Sequence, residues 1–276
     1  SGRMPTGATG LVRFRLETPL IVWWGQRFVL RAYEDPDALT HGLTIGGGTV
    51  VDPLPSPGRA QRPRWVRVGN ELRDDDPAVR ALASVRDAGV ACIDRQTLEA
   101  RAGVVKAESA MGQAFKRGEV VEVAKGVWVD ASVIPRLERE ALAFADAFHK
   151  SHPLSPGISQ AELEGRLPGR CHPALKSTIL AKAIERGELL RADDQGRLAR
   201  PGKGQLDPDA LPGELQRVLT LYKDGGLTPP TIRDVMDALD ADNKAVLEWA
   251  RSLQRAELIV RVTNDLSYGK EAHTEL

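Results

Sequence analysis

Across 276 residues, 38 Lys and Arg balance 38 Asp and Glu, and 42% of positions are hydrophobic. That composition excludes a disordered chain and one coated all over in nucleic-acid-binding charge. No apolar run approaches the roughly 18 residues of a membrane span, nothing reads as a signal peptide, and two cysteines, Cys92 and Cys171, suggest no disulfide framework, so a reducing, cytoplasmic setting is expected.

The first segment reads as β. Val12, Phe14 and Leu16 alternate with Arg13 and Arg15, the period of a strand with one buried face. Leu20–Trp24 and Arg27–Arg31 are further strand candidates around a Gly25-Gln26 turn. Thr44–Val51 is another, and its Gly46-Gly47-Gly48 suggests a bulge or a close backbone approach. These strands are too few to close a barrel, so residues 1–52 predict an incomplete all-β domain. Pro53, Pro55, Pro57, Gly58 and Pro63 mark a linker, taken as residues 53–75.

Beyond it the apolar period changes from 2 to about 3.6. Asp76-Pro77 predicts a helix to Ala88, Asp94 caps a short one to Ala102, and a third runs from Lys106 to Arg117 before Gly118. A hairpin turning at Lys125-Gly126 follows. The plan recurs with helices over 135–150, 159–167 and 173–186 and a hairpin over 189–199. It recurs again with helices over 214–222, 228–239 and 243–255 and strands over 258–268. Each third helix ends in Arg, Gly or Ala, then Glu, and the arginines Arg117, Arg186 and Arg255 stand 69 residues apart. A fixed period of that size indicates a modular array. Three helices and a two-stranded wing make a winged helix-turn-helix, giving modules at 76–134, 135–205 and 206–269. The fold class is therefore mainly α with β.

Charge makes the modules unequal. Residues 76–134 carry 8 basic and 8 acidic side chains, residues 135–205 carry 12 and 9, and residues 206–276 carry 8 and 13. The second module suits phosphates best. Its third helix offers Lys176, Lys182 and Arg186, and its wing offers Arg191 and Arg197, with Glu185, Glu188, Asp193 and Asp194 among them. These five are the RNA-binding candidates. On the first module Lys106, Lys116, Arg117 and Lys125 form a weaker set, and the acidic third module reads as a spacer.

No GxxxxGK[ST] occurs, so the chain lacks the loop that cradles nucleotide phosphates. Cys171-His172 is adjacent rather than spaced for a metal, and both thiols read as small buried apolar groups. No catalytic, cofactor or metal residues are assigned.

Arg27–Arg31, Thr44–Gly48 and Val51-Asp52-Pro53 together resemble the end of the third domain of the selenocysteine-specific elongation factors, the SelB family. Gly226–Thr231, Val262, Asp265-Leu266 and Tyr268 resemble that family's later winged helices. The resemblance implies an elongation-factor-type barrel followed by tandem winged helices. It implies a part of a protein that brings selenocysteyl-tRNA to the ribosome at UGA codons, with GTP and Mg held by a GTPase domain absent here. The winged helices would link that body to recognition of an mRNA hairpin, and the chain would act as a monomer. The segment 270–276 would begin a fourth winged helix. By the same resemblance Arg13, Arg15, Arg27 and Arg31 become tRNA-contact candidates. The rival readings are a winged-helix DNA-binding regulator and an array that binds no nucleic acid.

Overall fold

The structure, a computed structural model, describes residues 4–32, 43–55, 62–204, 206, 211–263 and 267–271. Strand β1 (Arg27–Ala32) pairs antiparallel with β2 (Leu43–Thr49). Leu30 faces Gly46 and Arg31 faces Thr44, so Ile45 is the extra residue of a bulge beside the glycines. Gly47 and Gly48 serve close approach: a Cβ on them would stand 2.7 Å from the Phe28 carbonyl oxygen and 2.9 Å from its ring. The expected strands at 11–16 and 20–24 are not formed. Alternation marks an extended chain, but a strand also needs a partner ladder, and these segments have none among the described residues.

The expected linker contains helix α1 (Arg62–Leu72). Its Pro63 fits that start: near a helix N-terminus the missing N–H costs nothing and the fixed φ suits the first turn. Of the other expected linker residues, 56–61 lie outside the described residues.

From there the predicted plan appears closely. Helix α2 (Pro77–Ala88) is capped by Asp76, whose carboxylate accepts the Ala78 N–H at 2.8 Å. Strand β3 (Ile93–Asp94) leads into α3 (Arg95–Ala102), capped by Asp94 through the Thr97 N–H, and Gly103 at φ 62 ends it. Then come α4 (Ala107–Lys116), β4 (Val120–Ala124) and β5 (Val127–Asp130), in a sheet ordered β3-β5-β4. Ala81, Val85, Leu98, Met111, Val120 and Trp128 fill the core of this set.

Next are α5 (Ile134–Ser151), α6 (Gln160–Arg166), α7 (Pro173–Glu185), β6 (Leu190–Arg191) and β7 (Leu198–Ala199). Last are α8 (Gly213–Asp224), α9 (Ile232–Leu239), α10 (Asn243–Arg255), β8 (Ile259–Arg261) and β9 (Ser267–Gly269). Helix α9 begins after Thr231 rather than at 228, because Asp234 three positions on completes a reciprocal capping box with Thr231. Leu215, Val218, Tyr222, Val235, Val246 and Leu253 form the core of this last set. Of the expected start of a fourth module, residues 272–276 lie outside the described residues.

The Arg-Gly/Ala-Glu junctions are Schellman turns. The Glu119 N–H reaches the Ala114 carbonyl at 2.9 Å and the Glu188 N–H reaches Ala183 at 2.9 Å, over Gly118 at φ 68 and Gly187 at φ 70. In the third junction the bond runs from Leu258 to Leu253 at 3.0 Å, and the left-handed residue is Glu257 at φ 55. There the helix runs one residue further before it turns.

By contact the chain forms two units, Ser1–Leu137 with Arg170–Ile179, and Glu138–Gly169 with Leu180–Leu276.

Candidate nucleic-acid interface

Helix α7 carries three of the five candidate cations. It begins at Pro173, with the Ala174 N–H donated to His172 Nδ1 at 3.2 Å, and ends at left-handed Gly187. At about 100° per residue, Lys182 and Arg186 share a face while Lys176 lies on another. Arg186 Nη1 bonds the carboxylate of Glu138 at 2.9 Å, and that Glu138 side chain is only 8% exposed. A buried carboxylate that lost this partner would stand uncompensated, so Arg186 is committed to the fold. On the wing turn, Asp193 accepts the Arg197 N–H at 3.0 Å and faces its guanidinium at 3.6 Å. That leaves Lys182, half-buried, and Arg191, exposed on β6, with no ion pair among the described residues.

Lys176 belongs to the first unit, as does the whole stretch Arg170–Ile179. This N-terminal half of α7 is used for packing. The His172 N–H donates to the Val90 carbonyl at 2.9 Å, and Thr178 Oγ1 donates to the Val123 carbonyl at 3.4 Å on the β4 strand. In a helix-turn-helix protein the N-terminal residues of the third helix read base edges in the major groove. Here they bond to the protein's own backbone.

Of the tRNA-contact candidates, Arg27 and Arg31 share the exposed face of β1 with Val29. Arg13 and Arg15 are exposed on a segment that is not a strand, on either side of Phe14, whose ring meets Phe28 edge-on at 5.6 Å.

Both thiols are buried, and burial with the neighbouring Cys171 thiol pushes Cys92 up to about 12. His149 is buried, Nε2 has no hydrogen-bond partner among the described residues, and burial holds its pKa below the usual histidine range, with Asp146 and Lys203 acting in opposite directions. No group of three or more metal-ligating side chains occurs among the described residues.

Sequence reasoning missed a buried charge network. Arg101 donates Nε and Nη2 to Asp52 at 3.0 and 2.8 Å and Nη2 to Asp87 at 2.7 Å. Arg64 adds bonds to the Asp87 carboxylate at 3.0 Å and carbonyl at 2.6 Å. Burial by itself would lower the Arg101 pKa, but the two carboxylates more than offset that and raise it. The nearest sequence signal was Asp52 in a strand-end motif, with nothing to name its partner.

Three comparisons bear on identity. The family "Elongation factor SelB, winged helix" matches residues 142–195. The selenocysteine-specific elongation factor of Desulfomicrobium baculatum is 22% identical over 291 residues, covering 99% of this chain and 42% of that protein. A crystal structure of a bacterial selenocysteine-specific elongation factor superposes with a TM-score of 0.54 at 15% identity, covering 95% of this chain and 38% of the other. At that identity the superposition shows a shared fold, and the chain spans less than half the length of these relatives. The family model and the Desulfomicrobium baculatum relative are both SelB-type elongation factors, and the superposition adds a shared fold.

Proposed function

From this likeness to SelB-type elongation factors we propose that the chain serves as the arm of a selenocysteine-specific elongation factor. It would comprise the end of the third domain, residues 1–52, and three winged helices at 76–134, 135–205 and 206–269. The whole protein would carry selenocysteyl-tRNA to the ribosome at UGA codons with GTP and Mg, in the cytoplasm, as a monomer. The winged helices would join the GTPase and tRNA-binding body to recognition of the mRNA hairpin. The observation that carries this reading is a likeness extending over 99% of the chain, strands and helices alike, rather than over one winged helix.

The element order supports the count of modules, since three helices followed by two strands occur from Pro77, from Ile134 and from Gly213. Exposed Val29, Leu43 and Ile45 on the two-stranded sheet suit a barrel whose other strands come from elsewhere in the full protein. Lys182 and Arg191 remain the candidates for RNA phosphates, and Arg27 and Arg31 those for tRNA. The DNA-regulator reading is disfavoured because the start of α7 is bonded to the Val90 and Val123 carbonyls.

The test is fluorescence anisotropy with a selenocysteine-insertion hairpin RNA and a DNA duplex of equal length. Weak, salt-sensitive RNA binding is expected. Tight, sequence-specific DNA binding would overturn the reading.

A further inference from the structure

Three side chains from the segment that precedes α1 sit in notches on the helices behind it. Leu11 lies against Gly69 inside α1, where an added Cβ would stand 2.9 Å from Leu11 Cδ1. A helix-interior glycine is unfavourable relative to alanine, so its presence calls for a close approach of this kind. Trp24 lies over Gly103, where a Cβ would meet its ring carbons at 2.7 Å. The Arg80 guanidinium caps the Trp24 ring at 3.9 Å, and the indole N–H donates to the Leu72 carbonyl at 2.8 Å. Arg80 is itself fixed by bonds to the carbonyls of Ala102, Asp74 and Asp75 at 2.7 to 2.9 Å. Asp52, the third key, is held in the bidentate grip of Arg101.

Trp24 and Asp52 flank one end of the strand ladder. The Gly25 N–H donates to the Val50 carbonyl and the Val50 N–H to Gln26, both at 2.8 Å, continuing the β1–β2 pairing. A side chain fixed at either residue therefore fixes the strands. Two strands alone lack the buried area to be independently stable, so their orientation must be imposed from outside. One contact would leave a swivel, whereas three at separate points on α1 and at the end of α3 do not. We propose that Leu11, Trp24 and Asp52 form a keyed joint that makes the β1–β2 segment and the α1–α4 set one rigid body, so that rotation of the strands is transmitted to the helices.

The test is a distance distribution between spin labels at Ile45 and Ser109 in the full chain. The labels are attached through an encoded azide amino acid, so Cys92 and Cys171 stay untouched. A single narrow population is expected in the unaltered joint. The Trp24→Ala/Asp52→Asn double variant should widen it by roughly twofold or more, since these contacts set local opening. A broad distribution in the unaltered chain, or an unchanged width in the double variant, would overturn the joint. If the double variant loses its helical circular dichroism, Gly69→Ala gives a second reading. Helix propensity alone would raise its melting temperature by several degrees, while displacement of Leu11 should leave it unchanged or lower. The full rise would overturn the joint as well.

Discussion

Replacing Lys182 and Arg191 together by glutamate should flatten the salt dependence of RNA binding by a calculable amount. Arg186 is held by Glu138, Arg197 by Asp193, and Lys176 is not free, so Lys182 and Arg191 are the candidates that can neutralise phosphate without giving up an ion pair among the described residues. Each phosphate neutralised on a single strand contributes about 0.7 to the slope of log affinity against log salt, so two contribute about 1.4. Between 50 and 200 mM salt that corresponds to about a sevenfold loss of affinity, against more than about a hundredfold if all five were engaged. Fluorescence anisotropy with a hairpin RNA across that range, in the chain and in the Lys182→Glu/Arg191→Glu variant, gives the difference directly. Arg186→Glu and Arg197→Glu should instead lower the melting temperature and leave the slope alone. If the double variant keeps the slope of the unaltered chain, or if Arg186→Glu lowers it as much, the division into committed and available cations is wrong.

Arg101→Met would strip Asp52 of its bidentate cation and leave the buried Asp87 carboxylate with Arg64 alone, so chemical denaturation should report a loss of about 3–5 kcal/mol from the first unit, and less than 1 would refute the clamp. His149 titrates with a defined sign. Its folded pKa lies below the unfolded value near 6.5, so the unfolded chain takes up the proton first. Stability is then full above about pH 6.5 and is lost as the pH falls through the folded value; replacing His149 by Leu should flatten melting temperature between pH 8 and 5. Cys92, with its thiol pushed up to about 12 and buried, should resist a thiol-reactive disulfide dye at pH 8 in the native chain. Both cysteines should react at once in denaturant, and rapid native labelling of Cys92 would refute the burial argument.

The helices were legible because their signals are local. Asp76-Pro77, Asp94 and Ser159 each precede a helix start, and the predicted hairpin over 189–199 holds the paired β6 and β7. Where local signals compete, the nearer helix-stabilising set wins: Thr231 with Asp234 moved the α9 start from 228 to Ile232, and a helix with Pro63 in its first turn stands inside a proline-rich stretch. The 11–16 and 20–24 segments show the limit on the β side, since period 2 describes an extended chain and leaves its partner undefined. The candidate interface was less legible for the same reason. Arg186 and Arg197 are visible as cations in the sequence, but whether each is available depends on Glu138 and Asp193, and Glu138 is far away in the chain.

The left-handed residue of the third junction alters what its copies share. Arg117, Arg186 and Arg255 align by sequence, but the turn-forming residues are Gly118, Gly187 and Glu257, so one extra residue has entered α10. One residue is about 100° of helical phase. Arg255 is accordingly the counterpart of Glu185 rather than of Arg186, and it bonds the Leu154 carbonyl at 2.8 Å where Arg186 bonds a carboxylate. Any transfer of roles between α7 and α10 by sequence alignment thus lands a quarter-turn or more off target. Glycine at 257 would ease the backbone at that position, and the phase slip would remain.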